Sequence, residues 1–165
     1  MIKPKKEIQP WLIANKKLSG VSWIEFDEKN TPLGAVGFIY EIIAIDGLHK
    51  GKRYIGKKNL YSTTTRKIPK KEQLLQVGLG RKRLKEKIVK DSDWRNYCGS
   101  NTELKALFKA NHEHFERHIL FFCDTAKRLT FFEAKELFNR EVLEKEGYWN
   151  GNILNKFFKS AKGII

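Results

Sequence analysis

The sequence predicts an α+β domain in which a small antiparallel three-stranded sheet is flanked by helices. The first observation behind this prediction is a pair of apolar runs, at 35–45 and 52–60. They are joined by the turn "DGLHKG", a pattern typical of an antiparallel hairpin. The second is a helix–strand–helix order along residues 101–147. The length of 165 residues fits one domain of ordinary size.

The N-terminal part, residues 1–34, is expected to be an arm that carries one short strand. Residues 1–20 are mixed and basic and predict irregular structure, whereas "VSWIEFDE" at 21–28 alternates weakly and predicts a strand. A turn that contains a proline and a glycine follows. The main domain is therefore placed at residues 35–165.

Residues 57–92 are expected to form a mobile basic excursion from this domain. The segment "YSTTTRKIPKK" has no periodicity and is interrupted by Pro69. The segments "EQLLQV" and "RLKEKIVK" each predict a short helix, and Gly78 and Gly80 lie between them.

The C-terminal half supplies the remaining elements. "NTELKALFKAN" predicts a helix with Asn101 or Thr102 as its N-cap, and "FERHILFFC" at 115–123 predicts the third strand. "TFFEAKELFNREVLEKEG" at 130–147 predicts the longest helix, which Gly147 would end. Its predicted core stripe consists of Phe131, Ala134, Phe138 and Val142.

The distribution of charge along the sequence indicates what class of partner the protein binds. The formal net charge is +14, and residues 51–90 alone hold fourteen Lys and Arg against two acids. A block this one-sided favours a polyanion, and nucleic acid rewards each phosphate contact by releasing a counterion. No apolar run approaches the ~20 residues that a membrane-spanning helix needs. We therefore expect a soluble, intracellular protein without a membrane partner; a solubilising surface remains the alternative for the basic block.

Two tyrosines are candidates for chemistry. Tyr40 and Tyr54 lie on the two predicted hairpin strands, where cross-strand neighbours come within ~5 Å. Lys57 and Lys58 follow the second tyrosine, so hydroxyls and positive charge could face one phosphate. Burial as core tyrosines is the alternative. The sequence has neither a phosphate-binding Gly-rich Lys loop nor a paired-His metal motif.

The order of motifs resembles the GIY-YIG nuclease superfamily. "GFIY" at 37–40 corresponds to G-x-I-Y and "YIG" at 54–56 is intact; a helix carrying Glu133 and "YWN" at 148–150 follow. The segment "DWRNYCGSNTEL" also resembles a W-x-x-Y-x-G-S element of phage-type and some restriction-type members. The resemblance covers roughly residues 35–155.

The resemblance implies roles for five residues. Glu133 would hold one divalent metal, Mg²⁺ or Mn²⁺, and Tyr40 would contact or activate the water nucleophile. Tyr54 would position the phosphate, Lys58 would steady it as a point charge, and Asn150 would brace the site.

Alternatives remain for two of these roles. Thr130 and Glu133 match a capping box, so Glu133 could cap a helix instead, and Glu136 and Glu141 are fallback ligands. Asn155 is the alternative to Asn150.

The family also has an arginine on the helix after the second motif, but position 64 here is threonine. Arg66 and Arg83 are equal candidates for that role, and Arg95 comes after them.

The leading hypothesis is a metal-dependent endonuclease, of homing or restriction type, acting on double-stranded DNA in the cytoplasm. A phage-encoded enzyme and a homodimer on DNA are both compatible with it. A catalytically inactive nucleic-acid-binding module and a structural protein of a nucleoprotein particle are the rivals. The expected phosphate contacts are the basic residues of and around the excursion: Lys57, Lys67, Lys70, Lys71, Arg81, Lys82, Arg83, Lys85 and Arg95.

Overall fold

A computed structural model describes residues 8–18, 20–76, 78 and 80–160. Within this part of the chain there are three α-helices and nine strands. The helices are α1 (Lys70–Leu74), α2 (Thr102–Ala110) and α3 (Ala126–Asn139). The strands are β1 (Trp11–Leu18), β2 (Gly20–Glu25), β3 (Gly37–Ala44), β4 (Arg53–Asn59), β5 (Tyr61–Lys67), β6 (Lys85–Asp91), β7 (Phe115–Cys123), β8 (Asn152–Ile153) and β9 (Phe157–Phe158).

The predicted α+β class is confirmed, but the sheet is larger than expected. It has five strands in the order β2-β1-β7-β3-β4. The three predicted strands β3, β4 and β7 are antiparallel neighbours, whereas β1 adds to β7 in parallel, which makes the sheet mixed. The prediction of a three-stranded antiparallel sheet is therefore wrong in the number of strands and in the direction of the β1–β7 pairing.

Strand β1 explains the difference. The irregular structure predicted for residues 1–20 is wrong for 11–18, because Trp11 and Ile13 pack against the core while the chain pairs with β7. The basic residues of "NKKL" hid this strand in the sequence. Residues 1–7 and 19 lie outside the described part.

Strand β3 divides the core into two layers. Phe38 and Tyr40 face a layer that contains Trp11, Trp94 and Leu104. The alternate residues face a second layer built with α3: Ile39 meets Ile55, Leu129, Leu137 and Val142. Because both faces are covered, β3 is almost continuously buried, as its unbroken apolar sequence predicts.

The excursion is a hairpin and not a pair of helices. Strands β5 and β6 form a separate antiparallel ribbon with seven paired positions, from Tyr61 opposite Asp91 to Lys67 opposite Lys85. The prediction of a helix for "RLKEKIVK" is wrong, because most of this segment forms strand β6. Its Ile88 and Val89 pair with residues of Thr63–Thr65 on β5, and such β-branched side chains favour a paired strand. Helix α1 is short and begins directly after Pro69.

Helix α3 begins and ends earlier than predicted. Its N-cap is Thr125, whose side chain accepts a hydrogen bond from the Arg128 amide, and the helix ends at Asn139 and not at Gly147. The predicted core stripe is wrong at Phe131 and Phe138, which are 62% and 48% exposed. Leu129 and Leu137 are buried instead, because this helix carries two apolar stripes and only one can meet the sheet.

Helix α2 matches its prediction. It covers Thr102–Ala110, and the side chain of Asn101 accepts a hydrogen bond from the Leu104 amide. No helix in the described ranges is long and apolar enough to cross a membrane.

Candidate active site

Strand β4 forms the edge of the sheet next to the predicted site. Successive residues of β4 lie on opposite faces of the sheet. Tyr54, Gly56 and Lys58 lie on one face, and Ile55 and Lys57 lie on the other, towards α3. A cleft of about 540 Å³ runs along this edge. Its lining is polar and comes from β4, α3 and two loops: Tyr54, Ile55, Lys57, Ser100, Asn101, Glu133, Leu137, Trp149, Asn150, Gly151, Asn152, Leu154 and Asn155.

Tyr54 is positioned by the loop before α2. Its hydroxyl shares a 2.6 Å hydrogen bond with the hydroxyl of Ser100. Gly99, at φ +91°, lies under the tyrosine ring, and a Cβ at this position would come within 3.1 Å of it. Glycine is required there by both its backbone angle and the close approach. Tyr54 is thus a lining residue of the cleft that is itself only 8% exposed, and its hydroxyl is held by Ser100.

Tyr40 is buried, with 1% of its surface exposed, and it does not line the cleft. Its hydroxyl lies over Gly56, where a Cβ would come within 2.6 Å of it. Its ring packs edge-on against the ring of Tyr97, with 5.9 Å between the ring centroids. Burial first, and then the neighbouring Tyr54 and Tyr97 hydroxyls, hold the pKa of Tyr40 well above its ordinary value. Tyr40 is thus a neutral phenol at physiological pH.

The raised pKa of Tyr40 gives a spectroscopic prediction. Ultraviolet titration of the five tyrosines should show a late ionising step that Tyr40→Phe removes. The stability from the neutral, buried hydroxyl is fully present below pH ~10, the ordinary tyrosine pKa, and is lost as pH rises towards the folded-state pKa. Tyr61→Phe is the control, because Tyr61 is exposed. A late step unchanged in Tyr40→Phe would refute the assignment.

Gly56 gives a second prediction. The Gly56→Ala variant should lose roughly 1–3 kcal/mol of stability, because the added methyl overlaps the Tyr40 hydroxyl and ring in a packed core. Chemical denaturation measures this loss. Gly151→Ala is the control, because its added methyl group meets open space and should change stability by less than the core variant. Gly51→Ala is unsuitable, because the positive φ of Gly51 would itself strain an alanine. Equal losses in both variants would contradict the close packing of Tyr40 on Gly56.

Glu133 lies on α3 and faces the cleft with its side chain 22% exposed. The Lys57 ammonium lies 3.0 Å from its Oε2 atom and also donates to Thr130 Oγ1 at 2.9 Å. The capping-box alternative is wrong, because Thr125 is the N-cap and Thr130 is inside the helix. The position of Glu133 in the cleft therefore has no capping explanation.

The two alternative metal ligands, Glu136 and Glu141, lie outside the cleft. Glu136 is paired with Arg140, and Glu141 is paired with Lys145 at the surface. Neither lines the cleft.

Asn150 joins the cleft to the edge strand. Its Nδ2 donates to the Ile55 carbonyl at 2.7 Å, and its Oδ1 accepts from the Ile55 amide at 2.9 Å. The side chain thus pairs with β4 as another strand would, and it is only 6% exposed. Asn155 makes no such contact; its amide donates to Asn152 Oδ1 in a surface turn. This geometry is compatible with a bracing role for Asn150.

A second cleft, of about 660 Å³, adjoins the first and shares Lys57 with it. Here the Lys58 ammonium binds Asp93 Oδ1 and lies 3.9 Å above the Tyr97 ring. The hydrogen bond from Lys58 lowers the pKa of Asp93. Lys58 therefore lies on the Tyr40 side of β4, opposite to the side that carries Glu133.

The candidate arginines do not join the cleft. Arg66, on the β5–β6 hairpin, binds Glu86 on the same hairpin and Glu72 on α1, and Arg95 binds Glu28 and Asp91. Arg83 lies in the exposed connection before β6, where its backbone bonds to Gln76. No arginine is among the described residues that line either cleft. The expected phosphate contacts of the excursion are all exposed: Lys67, Lys70, Lys71, Arg81, Lys82 and Lys85.

Sequence reasoning left Tyr97 and Ser100 without a role, although they contact the two tyrosines directly. The available signal was the W-x-x-Y-x-G-S element. Its tryptophan, Trp94, is buried against Phe38, and its Gly99 admits the Tyr54 ring. The buried Arg117 then holds this loop by donating to the carbonyls of Arg95 and Tyr97. Burial lowers the pKa of Arg117 to about 10.

A divalent metal would find one carboxylate in the cleft. No group of three or more His, Cys, Asp and Glu side chains suited to a metal occurs in the described ranges. The donor chemistry of Glu133 nevertheless fits Mg²⁺, which commonly uses one or two carboxylates and takes its other ligands from water and substrate phosphates.

Comparison with known proteins gives a family for most of the chain. Residues 22–153 match the family model described as "Putative endonuclease segE, GIY-YIG domain". No curated protein and no solved structure matches the chain.

Proposed function

Because the chain belongs to the GIY-YIG nuclease superfamily, we propose that it is a metal-dependent endonuclease that hydrolyses phosphodiester bonds of DNA in the cleft along β4. The observation that carries this proposal is that Tyr54, Lys57, Glu133 and Asn150 line one cleft. Tyr54 and Lys57 come from β4, Glu133 from α3 and Asn150 from the segment before β8. A core or capping role for each residue separately would not require them to share a solvent-open cleft.

In this proposal Glu133 holds the metal, Mg²⁺ or Mn²⁺. When bound, the metal neutralises charge on the leaving oxygen and on a non-bridging phosphate oxygen. Lys57 uses only one of the two carboxylate oxygens of Glu133 in its ion pair. Such a partly exposed pair is worth about 0–1 kcal/mol, so Lys57 can turn to the phosphate at little cost.

The chain's own groups orient the substrate. The Tyr54 hydroxyl, held by Ser100, and the Lys57 ammonium face the scissile phosphate and fix its position. Lys58, on the other face of β4, contacts the adjacent phosphate of the same strand. These two lysines supply the positive charge for which the family uses an arginine; Arg66 and Arg83 contact DNA elsewhere.

Tyr40 acts as a positioning residue in this scheme. Its raised pKa makes a phenolate general base unfavourable at neutral pH. Its ring packs edge-on against Tyr97, and Tyr97 packs beneath the Lys58 ammonium. Tyr40 therefore acts on the phosphate-binding cations through Tyr97.

Cleavage of supercoiled plasmid tests the function. The purified chain should nick plasmid with Mg²⁺ or Mn²⁺ and not with excess EDTA, and the nicks should be sealed directly by DNA ligase, which requires 5′-phosphate and 3′-hydroxyl ends. A double-strand break needs two such events, through a homodimer or sequential nicking. Cleavage that persists in EDTA, or no cleavage with either metal, would refute the proposal. The nucleotide sequence of the cleavage sites then distinguishes a homing role from a restriction role.

A binding module without catalysis is the second candidate. The observation that favours it is the lack of an arginine among the described residues of the two clefts. It predicts duplex binding at low salt with no cleavage under either metal.

A further inference from the structure

The β5–β6 hairpin is a ribbon separate from the main sheet. Its two strands pair only with each other within the described chain, and every residue of β5 is exposed. An isolated two-stranded ribbon buries little apolar surface, so its side chains contribute little to the core. Such a ribbon is available for a partner.

The two faces of the ribbon differ in charge. Side chains that are directly paired share a face, so one face carries Lys67, Lys85 and Lys87 together with Tyr61, Thr63, Thr65, Val89 and Asp91. The single acid, Asp91, is paired with Arg95. No ion pair of these three lysines occurs among the described residues. We call this the lysine face.

On the opposite face, Lys90 alone has no ion pair among the described residues, and the other cation is compensated. Its Arg66 binds Glu86 across the ribbon and Glu72 on α1. Glu86 and Ile88 on this face are also partly buried. Positive charge without a counterion is therefore concentrated on the lysine face.

We propose that the lysine face of the β5–β6 ribbon enters the major groove of double-stranded DNA and holds the duplex over the active-site cleft. The inference deepens the proposed function and rests on it. A major groove about 12 Å wide admits a two-stranded ribbon, and seven residues of strand extend about 24 Å along it. Lysines suit guanine O6 and N7 and the flanking phosphates, while threonine and valine methyls suit the thymine methyl group.

The ribbon is continuous with the catalytic edge. Tyr61 and Thr63, at its base on the lysine face, line the same cleft as Lys57 and Lys58. Lys57 also lines the cleft that contains Glu133. Two acids, Asp91 and Asp93, also line the shared cleft, but each is paired with a cation, Arg95 and Lys58. A DNA backbone that leaves the ribbon therefore passes the uncharged Tyr61 and Thr63 and meets Lys58 and Lys57, beside the candidate metal ligand.

Binding experiments in EDTA test this inference without cleavage. The variant Lys67→Ala/Lys85→Ala/Lys87→Ala is compared with Lys109→Ala/Lys127→Ala/Lys135→Ala, which removes the same charge from exposed positions on α2 and α3. The slope of log affinity against log salt should decrease by roughly 2.7 in the first variant, about 0.9 for each lost phosphate contact, and by less than one unit in the control. Equal losses in both would overturn the proposal in favour of diffuse electrostatic binding.

Groove occupancy is tested with modified duplexes. Bulky substituents on pyrimidine C5 fill the major groove and should weaken binding of the wild type at least tenfold, whereas netropsin in the minor groove should change it less than twofold. The reverse result would overturn the inference. If plasmid is cleaved but C5-modified duplex binds normally, only this inference fails; if no duplex is bound, both it and the proposed function fail.

Discussion

Replacement of Glu133 by glutamine should reduce metal-dependent DNA cleavage by roughly 10²- to 10³-fold. The reason is the loss of the only carboxylate among the described residues that line the cleft, because a neutral amide is a poor ligand for a hard divalent cation. The expected loss corresponds to about 3–4 kcal/mol of transition-state stabilisation. Initial rates of plasmid nicking at several Mg²⁺ concentrations measure it.

Thermal stability separates catalysis from structure in this variant. Thr125 caps α3, and Glu133 makes only a partly exposed ion pair, so Glu133→Gln should cost less than about 1 kcal/mol. Glu136→Gln is the matched control: it lies on the same helix, is 24% exposed, and also pairs with a basic residue. It should keep cleavage within a few-fold of wild type. Normal cleavage by Glu133→Gln, or equal loss in both variants, would contradict the metal-ligand role.

Replacement of Asn150 by alanine should reduce the free energy of unfolding by roughly 2–4 kcal/mol. The change leaves the buried amide and carbonyl of Ile55 without their partners, and each unsatisfied group costs about 1–3 kcal/mol before relaxation. Cleavage should fall as well, since Ile55 lies between Tyr54 and Gly56 on the strand that borders the cleft. Urea denaturation followed by fluorescence measures the stability.

Asn155→Gly is the control for this prediction. Asn155 is the alternative asparagine in the sequence and has a φ of +53°, which glycine adopts without strain. The variant should cost less than 1 kcal/mol and retain cleavage. A larger effect at position 155 than at position 150 would mean that the wrong asparagine has been placed against the strand.

Local signals in the sequence predicted the centre of the fold. Strands β3, β4 and β7 have strong apolar runs, and α2 has an asparagine cap, so short stretches were sufficient. Strand β1 and strand β6 depend on distant partners: β1 pairs with β7 about a hundred residues away, and β6 is stabilised as a strand only beside β5. Tertiary pairing therefore overrode the helical and irregular preferences of these segments.

In the candidate site, too, some features were predictable from the sequence and others depend on the fold. Tyr40, Tyr54, Glu133 and Asn150 were proposed from motif order, and the structure brings the last three to one cleft. The apolar run of β3 is consistent with the burial of Tyr40, which was the alternative to a role in chemistry. Its contact with the Tyr97 ring depends on how a loop folds over the sheet, so no local pattern predicts that contact. The contact between Lys57 and Glu133 likewise joins residues on different elements.

The most direct test of the central claim is the position of Mn²⁺ in a crystal of the protein, determined by anomalous diffraction. The account predicts an anomalous peak about 2.0–2.2 Å from a carboxylate oxygen of Glu133, in the cleft bordered by Tyr54 and Asn150. The peak should disappear in Glu133→Gln crystals and remain in Glu136→Gln crystals. Manganese bound at another carboxylate, with Glu133 still paired to Lys57, would contradict it.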